Sequence, residues 1–348
     1  HVFTDGAGIR SILNQFLERL AAPISNEEII WGKETDRLLP PSLLLGMEDE
    51  PELPAGETQK VRLKGFAKPD IGLPVYRPDI HAPTPELRGT QLVAHTFPST
   101  FLPALLNVGR KHGVKLTSVL HASLLKAIYD SSEAKPADDD LYKSGSAMDL
   151  RNGYMYPEYC EKKVYVNSAV AIQPMDVPCS LFMDEKSGFW KAAEYIRDEW
   201  AGIQKKRGIA KATERDAKGF IANWANMKCV LIPTFLSKLT RNRNAPKGAP
   251  SKPRTCPYFV SDPPGSQLLS STYKIESTGC VGMEIVLESY QLATDQSQAV
   301  VSARSHSWND KLTLCLVFNA MRNPKEKMQE FLDAWVGVVE GICEGKYN

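Results

Sequence analysis

At 348 residues the chain is too long for a single small core and fits one large domain or two lobes. Its 43% hydrophobic and 24% charged residues are those of a soluble globular protein, and 42 Lys and Arg against 41 Asp and Glu leave almost no net charge, so nothing recommends nucleic acid as a partner. No apolar run approaches the roughly 20 residues that cross a bilayer, so a membrane partner is set aside and a cytoplasmic protein is the expectation. The cysteines (Cys160, Cys179, Cys229, Cys256, Cys280, Cys315, Cys343) are odd in number, scattered and free of any C-x-x-C pair. That usage fits reduced thiols better than a disulfide framework or a metal ribbon.

From Ile9 the apolar residues Ile9, Ile12, Leu13, Phe16 and Leu20 recur at helical spacing and predict an amphipathic helix starting just after Gly8. Residues 23–90 carry PP, PELPAG and KPDIGLPVYRPDIHAPTPEL, a composition that cannot sustain long helices or central strands and reads as a crossover or linker. QLVAHTF then reads as a strand, and STFLPALLNVGRKHG and LTSVLHASLLKAIYD as two helices separated by Gly113, the second capped by Thr117. SGSAMDL and KKVYVNSAVAIQP read as strands, and FWKAAEYIRDEWAGIQKKRG as a long helix whose basic end suits the helix dipole. The basic, proline-rich RNRNAPKGAPSKPRTCP reads as a surface loop, followed by three strands of a meander in TGCVGMEIVLESYQL, SQAVVSARSHSW and KLTLCLVFNA. A final helix is expected with Asn323 as its N-cap, Pro324 at its first position, and one apolar face running from Met328 through Phe331, Leu332, Trp335 and Val339 to Ile342. Strands and helices are thus mixed in an α/β chain with no regular βαβ beat.

The stretch that invites chemistry is HVFTDG, in which His1 and Asp5 stand in an H-x-x-x-D arrangement. The pattern is weak alone, and His306 with Asp310 repeats it where a hairpin turn is expected. The first copy differs because Gly6 and Gly8 follow it and a helix begins at once, which puts the histidine on a constrained loop. Two readings stand at this point: an aspartate that caps a helix beside an incidental histidine, or a working loop. DGAG lacks both the spacing and the preceding strand of a dinucleotide turn. His95, His112 and His121 lie in regular elements and read as packing or surface residues, and no His or Asp grouping has metal-ligand spacing.

HVFTDG, the helix pair around NVGRKHGVKLTSVLHASLLKAIYD, SAMDLRNGY followed by VYVNSAV, and the order YFVSDPPG, strands, final helix together resemble the CoA-dependent acyltransferase superfamily. That superfamily includes chloramphenicol acetyltransferase, plant natural-product acyltransferases and the condensation domains of peptide synthetases. Within it the chain is most similar to fungal O-acetyltransferases of the trichothecene 15-O-acetyltransferase type. The chain departs from the plant members in lacking D-F-G-W-G. The position of the second histidine of condensation domains lies outside the chain.

The resemblance implies a two-lobed fold of mixed α/β sheets. Residues 1–22 would be the motif loop and helix ending the first lobe, which is largely missing from this chain; 23–90 would be the crossover and 91–348 the second lobe. It implies transfer of an acetyl group from acetyl-CoA to a hydroxyl of a secondary metabolite, with the C-15 hydroxyl of a trichothecene as the narrowest form. His1 would be the general base, Asp5 a structural residue that orients the motif, and Arg151 its salt-bridge partner. Gly6, Asn167, Ser168 and Ser261 are candidates for the substrate site, the last three as oxyanion donors. Among the basic loop residues, Lys247, Lys252 and Arg254 are candidates for the CoA phosphates, with a solvated loop as the plainer account. No metal is implied, and a monomer working on a small alcohol and acyl-CoA is expected. The alternatives are a peptide-synthetase condensation domain and a non-catalytic binding protein of the same fold.

Overall fold

The computed structural model describes residues 5–22, 73–74, 89–132, 136–151, 154, 169–184, 187–205, 254–255, 257–262, 269–276, 282–294, 301–320 and 323–347. The elements in chain order are α1 (Gly6–Ala21), β1 (Leu73–Pro74), β2 (Thr90–Thr96), α2 (Phe101–Lys111), α3 (Leu116–Asp130), β3 (Leu141–Asp149), β4 (Val170–Pro178), a 3-10 turn (Cys179–Phe182) and α4 (Gly188–Lys205). They continue with β5 (Arg254–Thr255), β6 (Tyr258–Asp262), β7 (Thr272–Lys274), β8 (Glu284–Val286), β9 (Ser302–Trp308), β10 (Lys311–Asn319) and α5 (Lys325–Cys343). This is the mixed α/β class expected from the sequence.

A six-stranded sheet in the order β2-β10-β9-β6-β3-β4 carries the molecule. Its outer pairs are antiparallel, while β6 lies parallel to both β3 and β9. β9 and β10 form a hairpin closed by Asn309 and Asp310, both at positive φ (47° and 60°). Two left-handed residues match the strand twist, and Asn and Asp tolerate that region better than other non-glycine residues. The second H-x-x-x-D copy is therefore the hairpin element that its context predicted. The three-strand meander is corrected: β8 pairs with β7 in a separate two-stranded sheet, and the second neighbour of β9 is β6. Hydrophobic pattern marked these segments as extended without saying which edges meet.

One face of the large sheet is apolar and is covered by helices. α3 is buried along almost its whole length, as a helix that is hydrophobic all round must be, and α5 lays Phe331, Leu332, Trp335 and Val339 against it. Trp335 Nε1 donates to Ser123 Oγ at 2.8 Å, which satisfies the one polar atom of a large buried ring. Gly113 (φ 65°) ends α2 in the left-handed conformation, and the next amide, of Val114, returns to the Gly109 carbonyl at 2.9 Å. Two expected caps are corrected. α3 begins at Leu116 with Lys115 before it, so Thr117 lies inside the first turn, and α5 begins at Lys325 with Pro324 as its cap, one residue later than expected. Leu73 of the expected linker is buried in the core, where β1 pairs with β5.

His121 sits in the middle of this core, fully buried, with Nε2 2.8 Å from Ser144 Oγ and its ring against Phe259. Burial pushes its pKa down to about 3, so it is neutral when folded and gains a proton near pH 6.5 when unfolded. Stability is thus complete above pH 6.5 and declines as pH falls toward 3, by up to about 1.4 kcal/mol per pH unit. Urea unfolding at a series of pH values should show this slope flattened in His121→Gln; parallel slopes in the two proteins would contradict it.

Candidate active site

Asp5 stands immediately before α1, and its carboxylate is only 2% exposed. Oδ1 accepts from the Gly8 amide at 2.9 Å, the N-cap bond of the helix, and from Arg151 Nη2 at 3.1 Å. Oδ2 accepts from Arg151 Nη1 at 3.1 Å and from the Ala169 amide at 2.7 Å. The bidentate guanidinium and two backbone amides use both lone pairs of each oxygen, so this carboxylate is a brace and has no site left for a substrate proton.

The D-x-R spacing explains how Arg151 is aimed. Asp149 ends β3 and its Oδ1 accepts both the Arg151 backbone amide at 3.0 Å and Arg151 Nη1 at 2.9 Å, which turns the guanidinium back toward Asp5. Burial disfavours the charge on Arg151, but the Asp149 and Asp5 carboxylates outweigh it and hold the pKa above the ordinary guanidinium value. The two residues that the sequence paired across 146 positions are thus in contact.

Gly6 opens α1, and a Cβ there would come 2.5 Å from Leu292 Cδ2, so the glycine makes room for a leucine side chain. Ser261 lies in β6, where its Oγ accepts from Ser305 at 3.0 Å and from Thr117 at 3.5 Å. By strand alternation it faces α3, on the opposite side of the sheet from its neighbour Asp262. YFVSD forms strand β6. His1, Asn167, Ser168, Lys247 and Lys252 lie outside the described residues, and of Arg254 only the backbone, paired in β5, is described.

Helix α1 is oriented against its sequence pattern. Phe16 and Leu20 are 59% and 58% exposed, Ile9, Ile12 and Leu13 are also exposed, and the residues turned inward include Arg10 and Ser11. Polar bonds hold this inner side. Arg10 Nη1 and Nη2 donate to Asp262 at 2.7 and 3.2 Å, and Asn14 Oδ1 accepts from Tyr273 Oη at 2.8 Å. Sequence reasoning missed Arg10 and Asp262 because they are 252 positions apart. No local signal marked Arg10, because it sits on the polar side of the helix, where a charged residue is expected.

The described cysteines offer no nucleophile. Burial pushes the Cys179 thiol up to about 12 and the Cys315 thiol up to about 11. Among the described residues no helix is long and apolar enough to cross a membrane, and no group of three His, Cys, Asp or Glu side chains is placed to hold a metal.

No family model and no curated protein matches the sequence. Solved structures do match its fold. The chain is similar to trichothecene 15-O-acetyltransferase from Fusarium sporotrichioides, with a TM-score of 0.72 over 97% of this chain and 64% of that one, at 16% identity. It is also similar to the epimerization domain of the third module of tyrocidine synthetase B (TM-score 0.52, 10% identity, 100% of this chain and 68% of that one). A third is the EpoB cyclization-docking bidomain from Sorangium cellulosum (TM-score 0.52, 12% identity, 98% and 57%). The fold is therefore the one shared by acyltransferases and the condensation-type domains of peptide synthetases. The chain spans less than two thirds of the acetyltransferase's length.

Proposed function

We propose that this chain is part of a CoA-dependent O-acyltransferase that moves an acetyl group from acetyl-CoA to a hydroxyl of a secondary metabolite. The observation that carries the reading is the Asp5 brace: a buried carboxylate tied to Arg151 and to two backbone amides at the entrance of α1. A brace of this cost is expected where the loop just ahead of it must be held still. That loop carries His1, the one side chain of HVFTDG suited to proton transfer near neutral pH. The likeness to an acetyltransferase, stronger than the likeness to the peptide-synthetase domains, supports oxygen over nitrogen as the acceptor atom.

In this reading His1 takes the alcohol proton as the oxygen attacks the acetyl carbonyl, then gives a proton to the departing thiolate, with no acyl-enzyme. Asp5 never meets the substrate. Asn167, Ser168 or Ser261 supplies a donor for the tetrahedral oxyanion, and Lys247, Lys252 and Arg254 meet the CoA phosphates. The exposed apolar side of α1 belongs under a further lobe of the enzyme, which would close the path of CoA and alcohol to His1. A trichothecene C-15 hydroxyl is the most specific acceptor that the resemblance names.

The test is thiol release from acetyl-CoA with hydroxylated sesquiterpenoids, and with amines as the condensation arm. His1→Ala is expected to lower release by roughly 10²- to 10⁴-fold, the usual contribution of a positioned general base. Equal release by wild type and variant would remove His1 from the mechanism, and amine-only turnover would replace the ester reading with an amide one.

A further inference from the structure

The face of the large sheet opposite the helices carries a cluster of polar and charged side chains whose charges, among the described residues, do not balance. Alternation along β6 and β9 turns Tyr258, Asp262, Ser302, Arg304 and His306 to this side, with α1 lying over it through Arg10. Asp262 is engaged by Arg10 in a bidentate pair. Arg304 is only 8% exposed and, among the described residues, has no carboxylate within ion-pairing distance. Its Nε donates to Ser302 Oγ at 3.2 Å and its Nη2 to Thr294 Oγ1 at 3.1 Å, both neutral hydroxyls. Among the described residues Nη1 has no hydrogen-bond partner and, unlike Arg10 Nε, is not sealed from solvent.

The other ionisable groups around it do not supply the missing negative charge. Burial holds the Tyr258 hydroxyl and the Cys315 thiol protonated, the latter with a pKa of about 11. Tyr290, pushed up to about 12, is neutral, and burial lowers the pKa of His306. Among the described residues the tally is two arginines against one aspartate, one positive charge in excess beneath α1. Buried cations are paired or they bind something, because an unpaired one is costly to desolvate.

We propose that Arg304 is the recognition group of a small-molecule site on this face of the sheet, taking a carboxylate or phosphate group of the ligand. The guanidinium's open edge offers parallel donors to two oxygens, the geometry in which Arg binds such groups best. Ser302 and Thr294 hold the other edge and fix its plane. The site is within a short span of Asp5. Two residues of strand, roughly 7 Å, separate Arg304 from His306, which pairs in register with Asp262. From there Arg10 leads back along roughly 7 Å of helix to Asp5.

Thermal melts of the full chain in rising inorganic phosphate, with ionic strength held constant by sodium chloride, read the site without reference to acyl transfer. A ligand that binds only the folded state raises the melting temperature. The expected result is a saturable rise with phosphate and with benzoate, none with neutral benzamide, and loss of the rise in Arg304→Gln. CoA and 3′-dephospho-CoA separate the sources of the anion. A rise with CoA or 3′-dephospho-CoA that disappears in Arg304→Gln assigns the site to a phosphate of the coenzyme, and rises with both that survive in Arg304→Gln, beside a benzoate response that does not, assign it to a carboxylate of the acceptor. Equal phosphate responses in wild type and Arg304→Gln overturn the proposal. A second readout needs no ligand: relieved of an unbalanced buried charge, Arg304→Met should melt at or above the wild-type temperature, and a marked fall would make Arg304 a structural residue instead.

Discussion

Arg151→Met is expected to destabilise the protein by about 3–5 kcal/mol, measured by urea unfolding, because it leaves the Asp5 carboxylate buried without its cation. The Gly8 and Ala169 amides remain, but two neutral donors do not replace a bidentate guanidinium. Asp5→Asn is expected to cost less, since the amide oxygen keeps some of the same bonds while the charge that needs Arg151 is gone. Arg151 also retains Asp149 in that variant. The double variant should therefore fall short of the sum of the two, with a coupling of roughly 1–3 kcal/mol as neighbours in one network show. Strict additivity would mean that the pair does not work as a unit. If the proposed function holds, thiol release should fall in both single variants through a shifted start of α1 and not through loss of a proton acceptor, so the pH profile of the remaining activity should keep its shape.

Asp262→Ala is expected to be as damaging, again by about 3–5 kcal/mol, because it strands the Arg10 charge in a buried site and removes the nearest carboxylate from Arg304. The reverse variant, Arg10→Met, should cost distinctly less. Asp262 then still faces one arginine, so the charges in the cluster balance. This asymmetry is unusual for an ion pair, whose two halves normally destabilise alike, and urea unfolding of the two variants side by side checks it. Equal losses would show that Arg304 and Asp262 do not share one electrostatic environment.

The sequence read well wherever a local pattern decides the structure. The apolar face of α5, the β9–β10 hairpin and α2 with its Gly113 stop were all legible, because helical period, turn chemistry and left-handed glycine act over a few residues. The Asp5–Arg151 pair was legible only through resemblance, since nothing local to either residue points to the other. What failed were choices made by tertiary contact. β8 looked like a third strand of the meander and joined β7 instead, and Thr117 looked like a cap but turned its hydroxyl to Ser261. α1 is the sharpest case. Its stripe predicted an inward apolar face, but Arg10 and Asn14 dock its polar side and leave Phe16 outward. The periodicity was right about a helix with two faces, and periodicity alone cannot say which face meets this part of the molecule.

Among the described residues, the weakest join in the large sheet lies between β3 and β6, where the pairing runs through only Gly145 with Tyr258 and Ser146 with Phe259. One side-chain stitch, Ser146 Oγ to the Phe259 carbonyl at 2.8 Å, reinforces it. The join divides the sheet into two arms, and α1 is bolted to both: Asp5 to the Arg151 that follows β3, and Arg10 to the Asp262 that ends β6. The helix therefore serves as a cross-tie over a seam. Any splaying of the arms has to stretch one ion pair or the other, so α1 moves only as far as the two halves of the sheet allow.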